Sequence, residues 1–383
     1  TAVTSRKSGP VVIELHRAGA HGAAVLTRSG LVAGVVQLRH TPTMAMADAT
    51  DARSQVVAHK SRRSAHAMTR ATCDELGRHG RAAACESDRV GILIEQVDAT
   101  LGAVVTGLRL AELDETTWRA VEGAFNEHAV LVFPGQHLTE DEQLAFGQRF
   151  GSFEVMNETN GLVRIGNLRD DGTVLDPEHP IMQIGRGNEG WHTDSSYVAV
   201  SAKCSMLSAH VLPASGGGTT EWADMRAAYD ALPPSLQERV ESLVAHHSYA
   251  YSQTRAGFPD TPAGAYGFDG GPGARRPLVK VHPVTGRKAL FIGRHACDIP
   301  GMTSEESESF LDELLTFACQ PPRLYEHDWT VGDLVLWDNR CVLHRVHPWD
   351  LREARLMKHT RIAGDPVTEA ALDRDPPDGR DVR

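Results

Sequence analysis

From about residue 90 onward, short runs of apolar residues are separated by Gly, Pro and charged positions, a pattern typical of strands joined by turns. Strands with only a few helices between them favour a mainly β fold with peripheral helices over an alternating βαβ chain. The predicted strands are residues 91–98, 103–110, 129–133, 163–167, 203–213, 277–282, 288–293, 333–339 and 356–364, with further strands at 191–197 and 246–253.

Polar caps in front of amphipathic runs predict the helices. Asp114 is the predicted cap of a helix over residues 115–128. Thr139, with Glu142 three positions later, has the pattern of a capping box and begins a helix that runs to Phe150. Further helices are predicted over residues 226–232, 235–243 and 304–319.

The chain is predicted to consist of three segments. Residues 1–89 are rich in Ala, Arg, His, Ser and Thr, which predicts a poorly ordered or dispensable extension, with an arginine-rich targeting segment as the alternative. Residues 90–365 form the predicted folded domain, and residues 366–383 are a polar tail. Within the domain, residues 254–276 are dense in Gly and Pro, which indicates a lid or a disordered loop.

The composition argues against several classes of partner. Lys and Arg number 39 and Asp and Glu 50, so the net charge of −11 gives no support to nucleic-acid or membrane-surface binding. No apolar run approaches the roughly 20 residues of a membrane span, and no signal peptide is recognisable. The six cysteines form no CxxC pair and fit a reducing compartment. We therefore expect a cytoplasmic protein.

The segment WHTDSSY (191–197) places a histidine and an aspartate two positions apart, and on a strand such residues point to the same face. An imidazole beside a carboxylate can supply two ligands to a metal ion. The 2-His-1-carboxylate triad of non-haem Fe(II) enzymes needs one more histidine and leaves coordination positions open. His344 is the candidate, with His347 and His359 as alternatives. Taken alone, the pair also fits a hydrogen-bonded surface feature.

Five stretches, in the same order along the chain, resemble the taurine/2,4-dichlorophenoxyacetate family of Fe(II)- and 2-oxoglutarate-dependent dioxygenases, and within it the aryloxyalkanoate dioxygenases. They are FPGQHLTEDEQLAFGQRFG (133–151), WHTDSSY (191–197), GGTTEWADMRAAYDAL (217–232), PLVKVHPVTGRKALFIGRHACDIPGM (277–302) and WDNRCVLHR (337–345). The resemblance implies a double-stranded β-helix, or jelly roll, with helices on one sheet. It also implies Fe(II) as cofactor, with 2-oxoglutarate and O2 as co-substrates.

The same resemblance implies roles for individual residues. His192, Asp194 and His344 match the iron ligands of the family. Arg355 resembles the arginine that binds the distal carboxylate of 2-oxoglutarate, for which the guanidinium fork is better suited than a lysine. Thr220 resembles the threonine whose hydroxyl adds a hydrogen bond to that carboxylate. By themselves, these last two residues also fit a surface arginine and a turn residue.

Three positions bear on the substrate. His359 stands where taurine enzymes carry their sulfonate-binding arginine, which favours another substrate. Arg294, in GRHA (293–296), resembles the aryloxyalkanoate branch and is the candidate that holds a substrate carboxylate. Gln183 stands where a lysine is typical of the phenoxy-acid enzymes. The expected substrate is a small organic anion, an aryloxyalkanoate whose ether is cleaved to a phenol and a keto acid with release of succinate and CO2. Taurine or another alkylsulfonate or sulfate is the alternative.

Two hypotheses from other classes use the same triad. A metal-dependent hydrolase would activate water on zinc, and it has no use for the anion-binding pair Thr220 and Arg355. A cupin-like binding protein without turnover would not need an intact triad. The protein is also expected to form a homo-oligomer.

Overall fold

The computed structural model describes residues 11–12, 25–26, 91–154, 161–259, 270–271 and 273–373. The chain divides into two units, Thr1–Ala83 and Ala84–Arg383. In the first unit, β1 (Val11–Val12) and β2 (Val25–Leu26) form an antiparallel pair. The predicted extension, residues 1–89, otherwise lies outside the described residues.

The second unit is rich in strands and has several helices, as predicted. Its strands in the described ranges are β3 (Leu93–Gln96), β4 (Ala103–Thr106), β5 (Val130–Phe133), β6 (Leu162–Gly166), β7 (Cys204–Val211), β8 (Thr220–Asp224), β9 (Val244–His247), β10 (Ala274–Pro277), β11 (Val279–Val281), β12 (Lys288–Leu290), β13 (Ala296–Cys297), β14 (Leu324–His327), β15 (Leu334–Asp338), β16 (Val342–Val346) and β17 (Leu356–Ile362).

A seven-stranded sheet in the order β3-β4-β5-β15-β7-β17-β6 is the largest assembly of strands in the described residues. Its neighbours are antiparallel except for β4 and β5, which run parallel. Two three-stranded sheets, β14-β8-β16 and β10-β9-β13, and the hairpin β11-β12 make up the rest. The hairpin is the one predicted from residues 277–293.

The helices are α1 (Glu115–His128), α2 (Glu140–Gln148), α3 (Pro180–Gly185), α4 (Met225–Asp230), α5 (Pro234–Glu241), α6 (Tyr249–Arg255) and α7 (Ser304–Ala318), with 3-10 turns at Leu110–Glu112 and Arg186–Glu189. The predicted start of α1 is confirmed, because Asp114 Oδ1 accepts a hydrogen bond from the Thr117 amide at 2.7 Å. The capping box of α2 is also present, with the Thr139 amide 2.8 Å from Glu142 Oε2.

Alternation along the central strands divides the core into two layers. Leu131 and Phe133 of β5 join the aromatic residues of α1 and α2 on one face of the sheet. Val130 and Val132, one position away, face the second cluster, which contains Trp222 and Trp337. This is the two-residue period of a strand, and it places the functional cavity on the face opposite α1 and α2, because Trp337 lines that cavity.

Two strand predictions need correction. The segment 191–197 is not a strand: only His192 makes a bridge, and a turn follows in which Ser195 has a φ of 56°. The segment 246–253 is a strand only as far as His247, because the Ser248 side chain accepts a hydrogen bond from the Tyr251 amide (3.1 Å) and begins α6. In the second unit, strands β8, β10, β13, β14 and β16 were not predicted from the sequence, and β10 begins inside the segment predicted as a lid or disordered loop.

Two predicted loose segments are partly described. Residues 260–269 and 272 of the predicted lid lie outside the described residues. In the predicted tail, Glu369 is 1 % exposed and pairs with Lys280, and Ala370 bridges to Val200. The start of the tail therefore packs against the folded unit. No helix in the described ranges is long and apolar enough to cross a membrane.

Candidate metal centre and active site

The two predicted metal-binding histidines meet through their backbones. The His192 amide donates to the His344 carbonyl at 3.0 Å, and the reverse hydrogen bond measures 2.7 Å. This single bridge brings the two rings to a centroid distance of 4.1 Å. Asp194 lies in the turn that follows, and one ligand atom from each of the three residues lies within 4.8 Å of the others. All three side chains are buried.

A buried amide fixes the turn that carries Asp194. The Asp194 amide lies 3.4 Å from Asn339 Oδ1, and Thr193 Oγ1 donates to the Asn339 carbonyl at 2.8 Å. Asn339 Nδ2 also donates to Ser205 Oγ (2.8 Å), which in turn donates to Asp194 Oδ2 at 2.6 Å. The segment that follows β15 thus holds both the backbone and the carboxylate of the ligand-bearing turn.

The ligands are in the protonation states that metal binding needs. Burial lowers the pKa of His192 to about 4 and holds the pKa of His344 well below its usual value, so both rings are neutral. Burial opposes ionisation of Asp194, but the Arg361 guanidinium and the nearby histidines outweigh it and hold the pKa of the carboxyl well below its ordinary value.

The donor set fits Fe(II). His192 Nδ1 is 2.8 Å from the Gly190 carbonyl, which fixes the tautomer and leaves Nε2 for a metal. His344 Nδ1 is buried without a hydrogen-bond partner in the described residues. Two neutral imidazoles and one carboxylate are the ligands of the facial triad, and they leave room for further ligands on the metal.

A cavity of about 250 Å³ opens beside these ligands. Its walls combine apolar and aromatic side chains with a few polar groups, as is usual for small-molecule sites. The fold brings three further predicted site residues into the wall of the same cavity as the triad. They are Thr220, Arg355 and His359. Apolar and aromatic contributors include Met182, Tyr197, Leu207, Tyr249, Trp337 and Leu351.

Arg355, the residue directly before β17, is 2 % exposed and lines the cavity. Its Nη2 donates to the Gly218 carbonyl at 3.0 Å, and the guanidinium lies 4.8 Å from the centroid of Trp349. Gly218 has a φ of 69°, and a Cβ there would approach Arg355 Nε to 2.8 Å. Thr220 Oγ1 accepts from Trp329 Nε1 at 3.0 Å, so its own proton remains available for an acceptor in the cavity.

The three predicted substrate-binding residues have different positions. His359 lies beside the triad, with Nε2 3.6 Å from Asp194 Oδ2 and its ring stacked on Trp337. Arg294 is not among the cavity-lining residues of the described chain, and its guanidinium donates to the Gln253 side chain. Gln183 is also outside the lining, with Nε2 donating to the Pro177 carbonyl at 2.6 Å.

Three basic residues of the described cavity lining were not among the predicted site residues. Arg361 follows His359 by two positions on β17, so strand alternation could have found it. His295 lines the cavity with Nδ1 2.8 Å from Ser252 Oγ. Arg186 reaches the cavity from the 3-10 turn after α3, and no pattern in the sequence marks it.

A buried group of two histidines and one carboxylate, beside an arginine and a threonine in a mostly apolar cavity, is the arrangement expected of a non-haem metal enzyme that binds a small carboxylic acid. Residues 93–361 match the family described as taurine catabolism dioxygenase TauD, TfdA family. The chain belongs to this family, which confirms the resemblance predicted from the five sequence stretches.

Individual proteins of known activity or structure are also similar to this chain. The (S)-phenoxypropionate/alpha-ketoglutarate-dioxygenase of Sphingobium herbicidovorans is 52 % identical over 285 residues, which cover 73 % of this chain and 97 % of that protein. The alpha-ketoglutarate-dependent 2,4-dichlorophenoxyacetate dioxygenase of Cupriavidus pinatubonensis is 41 % identical over 67 % of this chain and 91 % of that protein. The crystal structure of AAD-2 in complex with Mn(II) and N-oxalylglycine has a TM-score of 0.68, with 37 % identity over 74 % of this chain and 100 % of that chain.

The chain is therefore a 2-oxoglutarate-dependent dioxygenase, an oxidoreductase that requires Fe(II), 2-oxoglutarate and O2. The predicted enzyme class and cofactors are confirmed. The two rival hypotheses, a hydrolase and a cupin-like binding protein without turnover, do not agree with membership of this family.

Proposed function

We propose that the enzyme hydroxylates an aryloxyalkanoic acid at the carbon beside the ether oxygen. The hemiacetal or hemiketal formed then breaks to a phenol and a 2-oxo acid, while 2-oxoglutarate and O2 yield succinate and CO2. The observation that carries this proposal is the 52 % identity, over 97 % of its length, to a dioxygenase named for (S)-phenoxypropionate. The apolar and aromatic walls of the cavity fit an aryl ring.

We assign His192, Asp194 and His344 to the metal, and Arg355 and Thr220 to the distal carboxylate of 2-oxoglutarate. When bound, Fe(II) supplies the coupled chemistry in which 2-oxoglutarate is decarboxylated and a substrate C–H bond is oxidised. The protein residues bind and orient the two acids. Arg355 and Thr220 lie in the same cavity wall as the triad, so a co-substrate held by them lies beside the metal ligands.

Arg186 is the side chain that we assign to the substrate carboxylate. It lies at the cavity wall with 53 % of its side chain exposed, and its ion pair with Glu189 is long at 3.6 Å. Arg355 and Arg361, the other arginines in the described lining, are buried. An arginine at the open side of the cavity can bind a carboxylate while the aryl ring enters the apolar part.

In this proposal Arg294 does not contact the substrate and instead supports the turn that carries Arg186. Its guanidinium fills the space next to Gly187, where a Cβ would collide with it, so it supports the turn that carries Arg186. His359 is proposed to form the floor beside Asp194 rather than to bind a sulfonate, and Gln183 is assigned to holding α3 through its hydrogen bond to Pro177.

The proposal also covers the type of β core, the cellular compartment and the subunit number. The large sheet packs against β14-β8-β16 through a shared core that contains Trp222 and Trp337, which supports a double-stranded β-helix with α1 and α2 outside it. The free cysteines among the described residues fit a reducing compartment, and a cytoplasmic homo-oligomer that binds neither nucleic acid nor membrane stays a prediction. Size-exclusion chromatography with light scattering measures the subunit number.

The substrate is tested with purified enzyme, Fe(II), ascorbate and 2-oxoglutarate. The panel contains phenoxyacetate, both enantiomers of 2-phenoxypropionate and taurine, and the products measured are phenol, sulfite and succinate. We expect phenol in step with succinate from at least one ether acid. Sulfite from taurine, with no phenol from any ether acid, would overturn the proposed substrate class and leave the oxygenase class intact.

The role of Arg186 is tested by comparing Arg186→Ala with Arg294→Ala. Losing a charge-assisted hydrogen bond of about 1.5 kcal/mol raises the KM for the ether acid roughly tenfold. We expect this rise for Arg186→Ala with an unchanged KM for 2-oxoglutarate, and a smaller rise for Arg294→Ala. A larger effect of Arg294→Ala would return the carboxylate-binding role to Arg294.

A further inference from the structure

The carboxylate of Asp194 has a buried arginine as its neighbour. Arg361 Nη2 donates to Asp194 Oδ1 at 3.2 Å, and the arginine is 3 % exposed. We propose that Arg361, held in place by Glu154 and Ser195, is a positioning residue that sets the orientation of the Asp194 carboxylate for metal binding. This inference rests on the proposed assignment of Asp194 as a metal ligand.

The guanidinium is held on its other side as well. Arg361 Nη1 donates to Ser195 Oγ at 2.7 Å and lies 3.6 Å from Glu154 Oε1. Ser195 Oγ donates to the same Glu154 oxygen at 2.5 Å, and the Glu154 amide donates to the Arg361 carbonyl at 2.9 Å. Both terminal nitrogens of the arginine therefore have partners: Nη2 contacts Asp194, and Nη1 contacts Ser195 and Glu154.

The backbone of Ser195 fits this arrangement. Its φ of 56° lies in the left-handed region, which a residue other than glycine adopts only at a cost. This conformation places Oγ between Arg361 and Glu154, directly after the ligand-bearing residue Asp194. The network thus connects the turn, the strand β17 and Glu154.

The opposite oxygen of Asp194 is also held. Ser205 Oγ donates to Asp194 Oδ2 at 2.6 Å, and His359 Nε2 lies 3.6 Å from it. With donors on both oxygens, the rotation of the carboxylate about its last torsion is restricted. Donors of this kind around a metal ligand typically contribute 10–100-fold to metal affinity.

Charge and positioning predict opposite effects of removing Arg361. A positive charge close to a metal site repels the cation, so its removal alone tightens metal binding. Loss of positioning leaves the Asp194 carboxylate free to rotate and weakens binding. The direction of the change in metal affinity therefore separates the two roles.

The experiment measures the affinity of the metal-free enzyme for Mn(II) by titration calorimetry without 2-oxoglutarate. The variants are Arg361→Lys, which keeps the positive charge, and the double variant Arg361→Met with Glu154→Gln, which removes the guanidinium together with the charge of the second carboxylate beside it. A lysine cannot bridge Asp194 and Ser195 together. We expect Mn(II) binding to weaken roughly 10–100-fold in both, with thermal unfolding showing that the proteins are folded.

The matched control is a second buried arginine–carboxylate pair. Arg226 Nε lies 2.9 Å from Asp224 Oδ1, and the two side chains are 2 % and 0 % exposed. This pair is outside the cavity lining. The double variant Arg226→Met with Asp224→Asn measures the general effect of losing such a pair, and we expect its Mn(II) affinity to equal that of the unaltered enzyme.

The outcomes separate the inference from the assignment on which it rests. If Asp194→Ala abolishes Mn(II) binding while Arg361→Lys and the Arg361/Glu154 double variant bind as tightly as the unaltered enzyme, the positioning role is refuted. Tighter binding by the double variant, with unaltered binding by Arg361→Lys, also refutes it and assigns a charge effect alone. If Asp194→Ala itself binds Mn(II) normally, the metal-ligand assignment fails.

Discussion

Replacing Arg355 by alanine is expected to damage 2-oxoglutarate binding selectively. The guanidinium is 2 % exposed, so a carboxylate beside it is paired away from water. Removing one partner of a buried charge pair costs about 2–5 kcal/mol. Because 1.4 kcal/mol corresponds to a factor of ten, the lower figure raises the KM for 2-oxoglutarate about 30-fold. Thr220 remains as a second donor, which places the result nearer this lower figure than the upper.

The assay measures succinate formation at saturating Fe(II) and ether acid over a range of 2-oxoglutarate concentrations. Arg355→Lys is also expected to raise the KM, because a lysine does not reproduce the fork geometry. The control is Arg352→Ala, since the Arg352 side chain is 80 % exposed and pairs with Asp350. Fe(II) affinity should change little in all three. An unchanged KM in Arg355→Ala would refute this assignment of the co-substrate site.

The remaining predictions concern Thr220, the aromatic layer and residues 1–89. Thr220→Val should raise the KM for 2-oxoglutarate about 2- to 12-fold, from a hydrogen bond of about 0.5–1.5 kcal/mol, whereas Thr220→Ser keeps the donor and should not. Phe146→Ala removes a ring that is 2 % exposed and packs edge-on against three aromatic neighbours. Urea unfolding should show a loss of about 3–5 kcal/mol, against about 0.5 kcal/mol or less for the exposed Val284→Ala. A chain that begins at Val90 should stay soluble and bind Fe(II); aggregation or loss of the metal would show that the first 89 residues belong to the fold.

The helices α1, α2, α4, α5 and α7 were predictable because nearby residues determine where they begin and end, whereas α3 was not predicted and α6 lies where a strand was predicted. Asp114 and the Thr139–Glu142 capping box form the predicted hydrogen bonds, and α1 has the predicted bounds. The strand predicted at 191–197 failed because it required the usual backbone geometry, whereas Ser195 adopts a positive φ. Nothing in the local sequence announces that conformation.

The site was predictable where a motif fixes a residue and unpredictable where only the fold does. His192, Asp194 and His344 are brought together as expected, although the pair lies in a turn rather than on a strand. Arg294 and Arg186 show the limit, because neither lies in a strand or an α-helix and only the packing decides which one faces the cavity. The side on which such an arginine emerges depends on contacts far away in sequence.

Under the proposed assignment of His192 and His344 to the metal, the backbone bridge between them makes iron binding depend on completed folding. The two histidines lie far apart along the chain and become neighbours only after the strands between them have assembled. Contacts at such long separation form slowly, because the loop must close before they stabilise anything. An incompletely folded chain therefore lacks the proposed triad. Once the bridge has formed, a metal ion bound by the proposed triad connects the two ends of that loop. At metal concentrations above the dissociation constant, the free energy of unfolding then increases with the logarithm of the metal concentration.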